Sequence, residues 1–475
     1  MRLANYEFAE PLDKKEWLNS LQMKVGLNYF GGKSIIGKYI FNNIFNLSVV
    51  MKKQGKKPDI FIDAFTGGGK IGLSIPYGWY DTIVINDLNY GVYSYYKCCK
   101  ENHIALIYMI EKIGELMNRE MFHLAAYIRS FGLNVQKWNL NDEDIENNEK
   151  PQFIKESEVI EPLMAAALTY WVTAGAFNGQ TTPDSIAYNF TRILKVEGQE
   201  ARDDKAMERK EIERAIIAAH KRIPQLHEQL NKQNYIIENL DYRELIKKYN
   251  GKEYHDIEWK EKEVYKEILK QRGEYDENNF IEDYEKFEKE HTHIIEAYVD
   301  KNKLWYFDPP YHPYCLCGGM DAPYADSFDL EFADEMTKIL YGDFKDIYGK
   351  LEFFIKSDYD PVEALQRAEE VIKNEPNDYQ INWYKQLLAM EAGEEEKKAE
   401  LKLSDSNVYK RKQWYKGMIS STFKCLEEDP FCKVCVGQFD KGAINSEHKK
   451  TVGKEYIWCK GFPKGYTEIE GESAK

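Results

Sequence analysis

The densest chemistry in the chain sits in four residues, Asp308, Pro309, Pro310 and Tyr311, which follow the apolar and aromatic run Leu304-Trp305-Tyr306-Phe307. The run reads as a short buried strand. Proline has no backbone N–H and a fixed φ, so the strand must stop there. The result is a rigid turn at a strand's carboxyl end. It holds one carboxylate, one carbonyl oxygen and one aromatic ring. A flat ligand with an amino group suits it: the ring stacks on the ligand's face while the two oxygens accept from the amine. Taken alone, the tetrapeptide also fits a plain Pro-Pro turn after a core strand.

Four other stretches could serve such a site. Residues 24–33 form a Gly-Gly turn closed by Lys33. Exposed N–H groups and an ammonium at a helix start suit a carboxylate or phosphate, though the stretch is also an ordinary surface turn. Residues 59–69 read as a buried strand running through Asp63 and Phe65 into Gly67-Gly68-Gly69. In form this is the first βα turn of a nucleotide-binding sheet, where glycine lets backbone approach a ligand closely. Lys70 follows the glycines directly, so the phosphate-loop spacing is absent. A second strand, 82–89, ends in Asp87. An acid about 20 residues past a glycine loop suits the hydroxyls of a ribose, and equally a helix cap or turn. Asp241 and Tyr242 stand where the strand from Tyr235 gives way to a helix. Asp241 with Glu244 has the form of a capping box, which is compatible with a binding role.

The elements between these stretches are mostly helical. Ile36, Tyr39, Ile40, Ile44 and Leu47 share one helix face after the Gly-Gly-Lys turn. From 92 to 233 the pattern gives helices over Tyr93–Ile113, Glu115–Ser130, Val159–Ala174 and Lys210–Gln233. This block is too long for a simple crossover and reads as an inserted subdomain. Residues 250–300 read as a charged, solvated helical insertion without chemistry. A helix over Ser327–Leu340, a strand over Leu351–Asp358, a helical pair over 361–400 and a late strand over Glu455–Lys460 complete the chain.

Composition sets bounds. With 475 residues, 43% hydrophobic, 34 Tyr and 9 Trp, the chain is globular and large enough for two or three domains. No run of about 18 apolar residues predicts a membrane span. The first residues carry acids and no apolar core, unlike a signal peptide. Eight scattered cysteines suit free thiols in a reducing cytoplasm. Cys315, Cys317, Cys432 and Cys435 lack metal-site spacing, so no metal is expected. The net charge of −15 argues against nucleic acid for the chain as a whole. Local clusters differ: Lys52, Lys53, Lys56 and Lys57 group together, as do Lys410, Arg411, Lys412 and Lys416. The second cluster, with Trp414 and Tyr415, suits a DNA backbone.

The joint order of Gly-Gly-Lys, Phe-x-Gly-x-Gly, strand-end Asp, inserted helices, Asp-Tyr and Asp-Pro-Pro-Tyr resembles the DNA adenine methylase (Dam-like) family. These are S-adenosylmethionine-dependent, adenine-specific DNA methyltransferases of the α motif order. The resemblance covers about 24–90, 170–245 and 300–360, with a faint match at 450–462. It implies an α/β fold: a Rossmann-like methyltransferase sheet with an inserted helical DNA-recognition subdomain and further helical insertions. The catalytic domain would comprise 20–91, 234–360 and 440–465. Residues 92–233 would recognise the target, 250–300 would form an acidic insertion and 361–439 a helical one.

The resemblance implies that Tyr29 and Lys33 hold the methionine end of the cofactor, Lys33 facing its carboxylate. Tyr29 stands where the family often has Trp. Asp63, Phe65, Gly67 and Gly69 would form the cofactor loop, Asp87 would bind the ribose, and Asp241 and Tyr242 would contact the cofactor's adenine. Asp308, Pro309, Pro310 and Tyr311 would hold a flipped adenine of double-stranded DNA for methylation at its N-6 amine. Phe177-Asn178-Gly179 looks like the family's DNA-contacting segment, without the Arg- and Asn-rich continuation usual there. The protein is expected to be a cytoplasmic monomer. A restriction endonuclease partner stays open, as do a methyltransferase acting on RNA or a protein glutamine and an inactive DNA-binding relative.

Overall fold

The computed structural model describes residues 26–28, 33, 37–127, 136–139, 152–155, 162–176, 188, 190, 204–255, 266, 269–270, 273, 275–309, 335–336, 338–340, 342–358, 431–444 and 450–462. Its centre is one seven-stranded sheet. In chain order the strands are β1 (Ile60–Asp63), β2 (Thr82–Asn86), β3 (Tyr235–Glu238), β4 (Lys303–Phe307), β5 (Phe354–Asp358), β6 (Phe431–Ile444) and β7 (Lys450–Lys460). Across the sheet they run 6-7-5-4-1-2-3. The first five are parallel; β7 runs antiparallel to β5, and β6 antiparallel to β7. The order therefore turns outward in both directions from the β1–β4 pair. In a doubly wound sheet that switch point is where the crevice opens.

The central strands β1, β2 and β4 are mostly apolar because both of their faces are covered. Along β1, Phe61 points to one core while Ile60 and Ile62 point to the other. Along β4, Leu304 and Tyr306 join the first core, and Trp305 and Phe307 the second. This alternation is the period of two that a strand imposes.

The first face is covered by helices α1 (Gly37–Lys53), α2 (Tyr90–Glu101), α3 (His103–Leu116), α4 (Arg119–Tyr127), α5 (Pro162–Gly175) and α6 (Asp204–Lys232). Ile40, Ile44, Leu47 and Met51 of α1 sit at helical spacing and are buried, as the sequence pattern requires. The second face is covered by α7 (Tyr242–Tyr249) together with Met336, Ile339, Leu340 and Tyr348.

Several boundaries differ from the sequence reading. The helix expected over Tyr93–Ile113 is two helices, broken at Asn102, whose backbone leaves the helical region. Residues 92–233 are not wholly helical: Gln136–Asn139 pairs with Gln152–Lys155 as an antiparallel ladder. The helices of this block share one core with the sheet. Strand β6 begins at Phe431, inside the stretch read as a helical insertion up to 439, because its partner β7 reaches back to Lys450. The charged stretch 250–300 holds helix α8 (Phe280–Glu290), and it is tied to the sheet layer by Tyr298 stacking on Tyr249 at 4.6 Å. No helix among the described residues is long and apolar enough to cross a membrane.

Candidate active site

The carboxyl ends of β1, β2, β3, β4 and β5 lie along one edge, and the described candidate residues other than Lys33 lie at or just beyond them. Strand β1 delivers Asp63 beside Tyr306 of β4, and the Ala64 N–H donates to the Tyr306 carbonyl at 3.0 Å. The chain then turns through the glycine loop. Gly67 and Gly69 have φ of +47° and +71°. A Cβ on Gly69 would stand 2.5 Å from Leu73 Cδ1 and 2.7 Å from the Tyr96 hydroxyl. No side chain fits there, and the left-handed backbone disfavours one as well.

The loop is pinned from two sides. Tyr96 donates its hydroxyl to the Gly67 carbonyl at 3.0 Å, and the Gly67 N–H donates to Asp87 Oδ2 at 2.7 Å. The other Asp87 oxygen accepts from the Asn89 N–H at 2.9 Å. Asp87 thus ties the second strand end to the glycine loop. Asn89 then caps α2, accepting from the Gly91 and Val92 N–H groups.

Asn86 was not singled out by sequence reasoning. It is 1% exposed and clamps three strand ends. Its Nδ2 donates to the Ala64 and Leu240 carbonyls at 3.0 and 2.9 Å, and its Oδ1 accepts from the Leu240 N–H at 2.9 Å. The available signal was a polar residue ending a β-branched strand.

Asp63 is 1% exposed. One oxygen accepts from the Gly72 N–H at 2.9 Å; Oδ1 has no hydrogen-bond partner. Burial pushes its carboxyl up to about 8. The Gly72 N–H opposes this, the negative charges of Asp308 and Asp87 add to it, and the Phe65 N–H opposes it. Asp63 therefore senses both carboxylates across the edge.

At the end of β3, Asp241 caps α7 through the Arg243 N–H at 2.9 Å. The Arg243 guanidinium also takes both of its oxygens, at 2.7 and 3.2 Å. Glu244 does not complete a capping box; it accepts from Lys247 and the His255 N–H. Tyr242 is buried, and its ring lies 5.9 Å from that of Phe65, so the two form an aromatic wall beside the glycine loop.

Asp308 begins the turn after β4. Its Oδ1 lies 2.7 Å from Lys33 Nζ, with Lys33 only 4% exposed and Asp308 17%. Ser357 of β5 donates to the same oxygen at 3.2 Å, and the Ser357 and Tyr306 hydroxyls are 2.8 Å apart. Lys33 thus meets the strand-end acid. Gly26, just upstream, donates its N–H to the Gly68 carbonyl at 3.3 Å, so this segment spans both turns. Pro309 is buried beside Asp308. Tyr29, Pro310, Tyr311, Phe177, Asn178 and Gly179 lie outside the described residues. Ala176 and Tyr188, which flank the Phe177 segment, form an isolated antiparallel bridge.

The edge therefore offers aspartates from four strand ends, a glycine cradle, an aromatic wall and a deeply held ammonium. Residues 29–257 match the family described as D12 class N6 adenine-specific DNA methyltransferase. The match ends as the charged stretch begins, and β4 returns beyond that stretch to hydrogen-bond with β1. No curated protein matches the chain. Over those residues the chain is similar to adenine-specific DNA methyltransferases of the D12 class, and its mostly parallel sheet is of the Rossmann-like methyltransferase kind.

Proposed function

We propose that the protein transfers the methyl group of S-adenosylmethionine to the N-6 amine of an adenine flipped out of a DNA duplex. The observation that carries this reading is the position of Asp308. It stands at the switch point beside the glycine loop, its carboxylate held by Lys33 and Ser357.

The residues present fit the cofactor. S-adenosylmethionine carries a cationic sulfonium and an α-ammonium, and supplies an electrophilic methyl group. Asp87 and Asp308 form an anionic surround, and Asp63, its carboxyl pushed up by burial, keeps one buried oxygen without a hydrogen-bond partner. Gly67 and Gly69 open the backbone to close approach. Asp63, Phe65, Gly67, Gly69 and Asp87 would hold the cofactor's methionine and ribose, with Tyr29 and Lys33 at the carboxylate. Tyr242 and Asp241, the latter fixed by Arg243, would line its adenine.

The target amine cannot reach such a pocket while stacked, so the base must leave the helix at a cost of a few kcal/mol. Tyr311 would stack on the extruded ring. The side chain of Asp308 and the carbonyl of Pro309 would accept the two amine hydrogens, with Pro310 keeping the turn rigid. This directs the nitrogen lone pair at the methyl donor and stabilises the positive charge that develops on nitrogen. Phe177, Asn178 and Gly179 would contact DNA. The thiols of Cys98 and Cys99 support a reducing, cytoplasmic setting.

The test uses tritiated S-adenosylmethionine and duplex DNA, followed by mass spectrometry of the nucleosides. N6-methyladenine is expected from the wild type, and Asp308→Asn should lose at least about a hundredfold in rate. Label in RNA or protein instead, or an undiminished Asp308→Asn enzyme, would overturn the reading.

A further inference from the structure

We propose that Tyr306 and Ser357 form a directed hydrogen-bond chain that positions the Asp308 carboxylate, making Ser357 a positioning residue for methyl transfer. The inference rests on the assignment of Asp308 to the target amine and deepens it by naming the residues that aim it.

Register explains why these groups meet. Strands β4 and β5 are parallel neighbours, with Tyr306 opposite Ile355. Ser357 is two residues beyond Ile355 and so shares its face. That face is the one Tyr306 occupies. The two hydroxyls come within 2.8 Å, and both residues are essentially unexposed.

The direction of the chain follows from proton counting. A serine hydroxyl has one hydrogen. Ser357 gives it to Asp308 Oδ1 at 3.2 Å. In the 2.8 Å contact between the hydroxyls, Tyr306 is then the donor and Ser357 the acceptor. The chain runs Tyr306 to Ser357 to Asp308 and ends on a carboxylate. Hydrogen bonds in series polarise one another, and bonds to a charged acceptor are the stronger kind.

Geometry makes the chain consequential. Lys33 and Ser357 act on the same oxygen from different elements, one from the segment before α1 and one from β5. Two donors on Oδ1 stop rotation of the carboxylate about its Cβ–Cγ bond. Lys33 supplies charge but sits on a long flexible stem. Ser357 is short, buried and fixed to the sheet, so it sets the direction. A carboxylate that must meet an amine within a few tenths of an ångström gains from such a support.

Ser357→Ala, Tyr306→Phe and Asp308→Asn are compared in single-turnover methylation of duplex DNA. Thermal stability, S-adenosylmethionine binding and DNA KM are measured alongside. Ser357→Ala should slow methyl transfer about tenfold, with cofactor Kd and DNA KM within about twofold of wild type. Tyr306→Phe, which keeps the ring in the core, should slow it about threefold. A purely structural role would instead weaken cofactor binding and stability together. If Asp308→Asn abolishes transfer while Ser357→Ala keeps the wild-type rate, the positioning role is overturned and the assignment of Asp308 stands. If Asp308→Asn is itself undiminished, the assignment of Asp308 falls and the inference with it. Should Ser357→Ala fail to fold, Tyr306→Phe decides: a slower step with unchanged Kd supports the chain, and a wild-type rate overturns it.

Discussion

Lys33 Nζ and Asp308 Oδ1 stand 2.7 Å apart, joining a glycine-rich turn near the start of the chain to the strand-end turn after β4. Lys33 is almost wholly buried and Asp308 largely so. A pair this dry gains little over apolar residues of the same shape, but breaking it strands a charge. Lys33→Met should therefore destabilise the protein by about 3 kcal/mol, read from urea unfolding. Lys33→Met with Asp308→Asn should recover most of that stability and none of the activity. A double variant no more stable than Lys33→Met would show that the ammonium has other essential work.

Asp63 predicts a pH dependence. Its carboxyl is pushed up to about 8 by burial first and by Asp308 and Asp87 next. In the unfolded chain it titrates near the ordinary carboxylate value of 3.8. The folded state therefore binds this proton more tightly. The stabilisation is fully present below about pH 4 and is lost as pH rises through about 8. Comparing urea midpoints at pH 6 and pH 9 should show wild type weakening relative to Asp63→Asn as pH rises. Parallel curves for the two proteins would count against a protonated Asp63.

The glycine loop separates two effects of a methyl group. Gly69 has positive φ and no room: an added Cβ meets Leu73 and Tyr96. Gly55 also has positive φ, yet nothing lies within 4 Å. Gly55→Ala should cost about 1 kcal/mol of strain and leave S-adenosylmethionine affinity intact. Gly69→Ala should cost more and weaken cofactor binding at least about tenfold, because the pinned loop must shift. Isothermal titration of both variants makes the comparison; equal losses of affinity would mean the loop does not line the cofactor site.

The parts of this site that follow local rules were legible beforehand. A buried strand ending in Pro-Pro, a strand entering three glycines and an acid at a strand end each declare themselves by residue type, and β1, β2 and β4 stand where they were read. What was not legible depends on strands far apart in sequence becoming neighbours. Lys33 suits an anion by its chemistry, and only the order of the sheet decides that Asp308 is within its reach. Ser357 looks like a turn former until β5 is placed beside β4. Strand β6 was missed because its pairing with β7 outweighs its weak local pattern. The break at Asn102 was hidden because the apolar spacing continues on both sides of it.

Asn86 is the strongest case of a role that only topology creates, and it gives the last prediction. Its side chain uses two donor bonds and one acceptor bond to hold Ala64 and Leu240, the residues where β1 and β3 give way to their loops. Asn86→Leu would keep most of the volume and leave the Leu240 N–H and two carbonyls buried without partners. Each such orphan costs about 1 to 3 kcal/mol. Asn86→Asp would keep the acceptor for Leu240 N–H but lose both donors, and would add a further carboxylate to an edge that already raises Asp63. Both variants should unfold at lower urea concentration than wild type. Asn86→Asp should fall further behind at pH 8 than at pH 5, because its charge is then fully developed in a buried, acidic setting. Equal stability of wild type and Asn86→Leu would show that the strand ends need no such clamp.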